Sequence, residues 1–238
     1  MLLLAAARID DVLVRAGCGS NELPATFGDA ERARWTALTP SGRAAFVASR
    51  LLTRSLLEHA TGIAQSRWTL SAVPGRAPLA RSHADIADLQ EDCPLSISLS
   101  HRLGWVCAAT GRGALGVDIE VERPSRSDLA ERAALMLAPD ELPAWCGLAP
   151  RERERALLTR WTAKEAWFKA SPPDAAPWDF RHVVARACAP AQANVRTWRS
   201  PPLHVAVCCT DAQALAGAVC EGLSAAAATS SYWHVARA

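Results

Sequence analysis

The run from Arg151 to Ala170 contains neither glycine nor proline, and Pro172-Pro173 follows just beyond it. Good helix formers ahead of a proline pair predict one long helix that stops there. Its charges are unusual. The chain has 26 basic side chains, and only Lys164 and Lys169, both in this run, are lysine. Elsewhere positive charge is met by arginine, so a generic surface role for the two lysines is a weak account of them. An ammonium is a compact point charge on a flexible stem, whereas a guanidinium is a planar fork. A site that touches one phosphate oxygen, or manages a proton, can require the former. On a helix Trp161, Glu165 and Lys169 share a face at i, i+4 and i+8. Spacing alone leaves two readings open, a solvated Glu–Lys pair or an anion-handling face.

With 238 residues the chain makes one large or two small domains. Hydrophobic residues at 50% and charged residues at 21% predict a globular chain with a buried core. A formal net charge of +2 supplies no global field for nucleic acid or an acidic membrane, so anion recognition has to come from local clusters. No pair among the eight cysteines has CxxC spacing, which leaves a zinc ribbon or thioredoxin-like site without support. A reduced, cytoplasmic chain is the simplest expectation. The opening Met1-Leu2-Leu3-Leu4-Ala5-Ala6-Ala7 lacks a positive leader and runs into Arg8, Asp10 and Asp11, which predicts a strand or helix and not a signal peptide. No run approaches the roughly 20 apolar residues of a membrane span.

Along the chain, a short polar helix is expected at Asp29–Trp35, and a long one from Ser41 to Ala60, where apolar residues recur at helical spacing. Arg50 and Arg54 share a face of the second helix, either solvated or facing an anion. Trp68–Val73 reads as a strand, followed by a turn at 74–78 that presents Arg76. Leu95 to His101 alternates strictly, serines on one face and Ile97 and Leu99 on the other, as half-buried strands do. With Trp105–Thr110 it makes a hairpin that turns near Arg102-Leu103-Gly104. Gly113 to Glu120 is the next strand. Helices follow at 128–137, at 139–142 and at 151–170, then a strand at Leu203–Cys209, an ambiguous alanine-rich stretch at 212–228, and a last strand at Tyr232–Val235.

In the Gly113–Glu120 strand Asp118 and Glu120 are two apart, so both carboxylates point to one side. Two like charges on a strand face repel, and acidic residues are depleted in strands. Magnesium, which takes one or two carboxylates with phosphates and water, would resolve that repulsion. An exposed strand end leading into the Pro124 loop accounts for them equally well.

Taken in order, Gly75-Arg76-Ala77-Pro78, Ser98-Leu99-Ser100-His101, Gly116-Val117-Asp118-Ile119-Glu120 and Trp161-Thr162-Ala163-Lys164-Glu165-Ala166-Trp167-Phe168-Lys169 resemble the 4′-phosphopantetheinyl transferases. The likeness is to the larger, surfactin-synthetase-activating type, one chain of two similar halves, and it covers residues 40–170 well. It implies an α+β fold of two subdomains related by a pseudo-twofold, each a small antiparallel sheet packed with a long helix. The halves would be 1–113, binding coenzyme A, and 114–238, carrying the metal and catalytic motifs. It also implies the activity: transfer of the phosphopantetheine arm of coenzyme A to a serine hydroxyl of an acyl- or peptidyl-carrier protein, with release of adenosine 3′,5′-bisphosphate. Asp118, Glu120 and Glu165 would hold Mg2+. Glu165, or a water on the metal, would take the serine proton, and Lys169 would stabilise the leaving bisphosphate. Arg43, Arg76, Ser100, His101, Lys164 and Lys169 would contact coenzyme A, Lys164 alternatively holding Glu165 in place. The partner implied is a carrier protein, with no nucleic acid or membrane, and the chain is expected to be a monomer. Three positions depart from the family pattern: Ser171-Pro172-Pro173 replaces a glycine-rich turn, Ala77 is inserted before Pro78, and no lysine precedes Lys164.

Two other classes compete, a non-catalytic carrier-binding relative and another magnesium-dependent nucleotide enzyme. A binding module has no need of three convergent carboxylates. The second finds neither G-x-x-x-x-G-K-[ST] nor G-x-G-x-x-G in the chain.

Overall fold

The computed structural model describes residues 1–71, 78–82, 95–123, 128–172, 179–224 and 228–238. Eleven strands and seven α-helices are formed among them. In chain order they are β1 (Leu2–Arg8), α1 (Ile9–Arg15), α2 (Asp29–Thr36), α3 (Pro40–Thr61), β2 (Trp68–Ser71), β3 (Leu79–Ser82), β4 (Leu95–Arg102), β5 (Trp105–Arg112), β6 (Leu115–Val121), α4 (Leu129–Met136), α5 (Leu142–Cys146), α6 (Pro150–Ala170), β7 (Val183–Ala187), β8 (Val195–Ser200), β9 (Leu203–Cys209), α7 (Ala212–Gly217), β10 (Cys220–Glu221) and β11 (Thr229–Arg237). The fold is mixed α+β with two sheets. One sheet has the order β10-β1-β5-β4-β3-β2, the other β6-β9-β8-β11-β7.

The alternating strands pack as their pattern requires. In β1 and β5, Leu2, Leu4, Ala6, Cys107 and Ala109 point into a core shared with Val117, Ile119, Val205 and Val207 of the second sheet. Their neighbours Leu3, Ala5 and Ala108 pack under Leu52 and Leu56 of α3. Thus α3 covers the outer face of the first sheet, and α6 lies on the second sheet with Ala163, Ala166 and Phe168 buried against Val183, Ala206 and Trp233. The end of α3 is set locally: Thr39 accepts the Gly42 amide, Pro40 opens the helix, and Gly62 closes it at φ 74°.

The serine row of β4 has a particular use. β6 is an edge strand of its sheet. It lays that edge on the serine face, and the Val117 amide donates to Ser98 Oγ at 2.9 Å. The β4–β5 hairpin turns at Leu103 and Gly104, with φ of 46° and 82°. Two positive angles are the signature of the two-residue turn that suits strand twist.

Three expectations change. The first sheet is not purely antiparallel, because β10 from the second half of the chain pairs parallel with β1. Arg50 and Arg54 are not solvated, and the anion they face is an internal carboxylate and not a ligand. Both are buried on Glu31 of α2, at 3.4 and 2.6 Å. In the alanine-rich stretch the described residues form the short α7 and β10, and 225–227 lie outside the described residues. None of the seven described cysteines forms a disulfide; Cys93 lies outside the described residues. No helix among the described residues is long and apolar enough to cross a membrane.

Candidate active site

Gly116 makes the site possible. A Cβ there would lie 1.9 Å from the Ala166 carbonyl oxygen, so only glycine lets α6 lie directly on β6. This close approach brings the helix face of Glu165 and Lys169 against the strand face of Asp118 and Glu120. The Lys169 ammonium donates to Asp118 Oδ1 at 2.7 Å, to the Val117 carbonyl at 3.0 Å and to Ser100 Oγ at 3.2 Å. Ser100 in turn donates to the same Asp118 oxygen at 2.8 Å. One cluster therefore draws on β4, β6 and α6, and on both sheets.

Glu120 is held from two sides. The Trp161 indole N–H donates to Oε1 at 3.3 Å, and Arg102 pairs with Oε2 at 3.1 Å. Burial raises its pKa, with Arg102 opposing and Asp118 adding to the rise. Glu165 is pushed further, to about 7, first by burial and then by Asp118, with Lys169 opposing and Glu120 adding. A carboxyl poised near neutrality can exchange a proton at physiological pH, which a general base must do. His101 stands exposed at the end of β4 beside the cluster. Its pKa is lowered by desolvation, and then by Lys169 and Arg102.

The donor set also suits a hard cation. Asp118 Oδ2 is buried and has no hydrogen-bond partner among the described residues. Among the described residues no three His, Cys, Asp or Glu side chains are drawn together tightly enough to form a metal group by themselves. Magnesium does not need such a cage, since it completes its octahedron with substrate phosphates and water. An orphaned buried carboxylate oxygen flanked by two more carboxylates fits that mode of binding.

The other expected contacts lie elsewhere. Lys164 is fully buried on a different face of α6. Its ammonium reaches Glu141 Oε2 at 2.5 Å, the Met136 carbonyl at 2.9 Å and the Phe180 carbonyl at 3.2 Å. Glu141 also accepts the Ala138 and Ala185 amides. Lys164 has no exposed side-chain surface, whereas Lys169, with as many internal hydrogen bonds, keeps 31% of its side chain exposed, so of the two only Lys169 is open to a phosphate. Its place is that of an anchor for α6. Arg43 is engaged where α2 meets α3, donating to the Trp35 and Thr36 carbonyls and to Asn21, with its guanidinium over the Trp35 ring. The structure does not bring it to the cluster. Arg76 lies outside the described residues. Sequence reasoning overlooked Arg102 and the donor role of Trp161. The shared helix face had marked Trp161, but nothing local identifies the cation opposite Glu120.

Residues 114–220 match the family model of the 4′-phosphopantetheinyl transferase superfamily. The chain is 27% identical over 173 residues, 72% of its length and 70% of the relative's, to the 4′-phosphopantetheinyl transferase HetI of Nostoc sp. (strain PCC 7120 / SAG 25.82 / UTEX 2576). Both likenesses support the 4′-phosphopantetheinyl transferase family, and the stretch matched by the family model holds Asp118, Glu120, Glu165 and Lys169.

Proposed function

We propose that this chain is a magnesium-dependent 4′-phosphopantetheinyl transferase of the larger, two-half type, acting as a monomer in the cytoplasm. Coenzyme A would be the donor and a carrier-protein serine the acceptor. The observation that carries the reading is the union of Ser100, Asp118 and Lys169 in one hydrogen-bonded cluster beside Glu120 and Glu165. These are the residues on which the family resemblance rests, and they arrive from three separate elements. The sheet-plus-helix make-up of each half supports the two-half type and its pseudo-twofold.

In this reading the serine oxygen attacks the pyrophosphate phosphorus that bears the pantetheine arm. A new P–O bond forms, and the bond from that phosphorus to the bridging oxygen breaks. The electron pair leaves on adenosine 3′,5′-bisphosphate. Glu165, or a water that the magnesium would activate, accepts the serine proton; the pKa near 7 of Glu165 belongs to the site without metal, and a bound cation would lower it. Lys169 offers its ammonium to the oxygen that gains charge, and Ser100 and His101 contact the phosphates. Asp118, Glu120 and Glu165 would hold magnesium, which supplies charge neutralisation on the pyrophosphate oxygens. Most of the rate enhancement then comes from positioning and electrostatics, as in other phosphoryl transfers.

The test is direct. An apo carrier domain is incubated with the protein, coenzyme A and Mg2+, and then weighed by mass spectrometry. A gain of one phosphopantetheine is expected. No gain, while a control transferase modifies the same carrier, overturns the reading.

A further inference from the structure

On the flank of α6 away from the catalytic cluster, the second sheet is left partly open. In register, Glu120 of β6 pairs with His204 of β9, and His204 with Arg199 of β8. Thr159 of α6 hydrogen-bonds the His204 ring at 3.0 Å, so the helix crosses above β9. Glu120 lies to one side of it and Arg199 to the other, about 10 Å apart at two strand spacings. Beyond the helix a cavity of about 270 Å³ opens between α6 and the strands β8 and β11.

Two arginines, Arg160 and Arg199, line it, with threonine and serine hydroxyls and the Trp233 ring; no acidic residue among the described residues does. Among the described residues Arg160 has no charge partner of its own. Its Nε is buried without a hydrogen bond, and Nη1 donates only to the Ala156 carbonyl of the same helix. The carboxylate it approaches, Glu141 at 4.0 Å, is already taken by Lys164 and two backbone amides. One anion is thus shared by two cations. Desolvation pulls the Arg160 pKa below its usual value, as expected of a cation without full compensation. Arg199 spends Nε on Glu122 at 2.7 Å, which leaves the terminal nitrogens of its fork. A half-buried cation beside a cavity whose described lining holds no acid is a place for an anion, and guanidinium groups favour two-oxygen acceptors.

We propose that this cleft is a second binding site, for a small ligand with a terminal carboxylate or phosphate and a short planar or apolar body packed beside the Arg160 guanidinium, which lies 5.6 Å from the centroid of the buried Trp233 ring. Sites for drug-sized ligands run from about 300 to 1,000 Å³, so the occupant is small. It is separate from the groups that would contact coenzyme A, because α6 stands between them.

The test uses the full chain, 15N-labelled, and follows the Trp indole N–H signals, that of Trp233 assigned with Trp233→Phe. Phenyl phosphate, benzoate and the neutral benzamide are titrated in turn. Saturable shifts of the Trp233 signal by one or both anions, and none by benzamide, are expected. Which anion binds more tightly separates the phosphate from the carboxylate source. Arg160→Met should weaken binding by about tenfold or more, the scale of one charge-assisted hydrogen bond, and Arg199→Met serves if the first variant fails to fold. Lys169→Met should bind the anion as the parent does. Absence of saturable shifts, equal binding by the arginine variants, or loss of binding in Lys169→Met overturns the proposal. These outcomes are independent of whether the chain transfers phosphopantetheine.

Discussion

In the proposed reading Glu165 ties activity to a cost in stability. Its pKa rises from 4.5 to about 7 on folding. Between those values the folded protein keeps a proton that the unfolded chain releases, so stability is fully present below about 4.5 and is lost as pH rises through 7. The span is worth at most about 3 kcal/mol. In chelator, where no divalent ion offsets the charge, Glu165→Gln should therefore raise the thermal midpoint at pH 8 and change it little at pH 4.5. Parallel midpoints for parent and variant across that range would count against the burial and crowding described for this carboxyl. The same variant should lose activity by roughly 10²–10⁴, the usual contribution of a general base. A stabilising substitution that abolishes turnover is the expected signature of a strained functional group.

At the scale of the element, α6 is held by one pair of residues and aims another. Lys164 and Glu141 form a buried ion pair, and removing one partner of such a pair typically costs about 3–5 kcal/mol. Lys164→Met should therefore lower the denaturant midpoint strongly yet leave the dissociation constant for coenzyme A unchanged in the folded fraction. A selective loss of coenzyme A affinity would return Lys164 to the binding site. Phe180, whose carbonyl receives Lys164, packs its ring on Trp161 at 4.3 Å between centroids, and Trp161 donates to Glu120. Trp161→Phe keeps the ring stack and deletes the hydrogen bond. It should weaken Mn2+ binding, measured by electron paramagnetic resonance, by about 10–100-fold, as loss of a ligand's hydrogen-bond partner does. An unaltered affinity would mean that Glu120 needs no such hold. The helix itself was legible in the sequence, since the absence of glycine and proline is a local property and Pro172-Pro173 ends the run. The destinations of its lysines were not equally legible. Lys169 follows Trp161 and Glu165 at helical spacing, whereas Lys164 lies off that face. Its partner Glu141 stands 23 residues away, and no local pattern connects them. Arg50 and Arg54 were misread for the same reason: Glu31, which buries them, comes from another helix.

Across the whole molecule the sequence suggested a division near residue 113, and the packing runs across it. Leu2, Leu4, Cys107 and Ala109 from before that point share a core with Val117, Ile119, Val205 and Val207 from after it. The edge of β6 is closed by Ser98, and β10 is added to β1 across the same boundary. Cut there, fragment 1–113 would expose the inner face of its sheet, and fragment 114–238 would expose both its inner face and the β6 edge. Each fully buried aliphatic side chain returned to water costs about 1.5–3 kcal/mol, against a typical net stability of about 5–15 kcal/mol for a whole domain. An uncovered hydrophobic face beside an open strand edge also invites aggregation. Neither fragment should fold by itself, and the two expressed together should recover the native sheet pair. The measurement is the amide dispersion of each 15N-labelled fragment alone and with its unlabelled complement. A dispersed spectrum and cooperative unfolding from 114–238 alone would show the halves to be independent domains, with Asp118, Glu120 and α6 set by one half unaided. Collapsed spectra that become dispersed on mixing would show that the site, which draws Ser100 from one half and Asp118 and Lys169 from the other, exists only when the two are packed together.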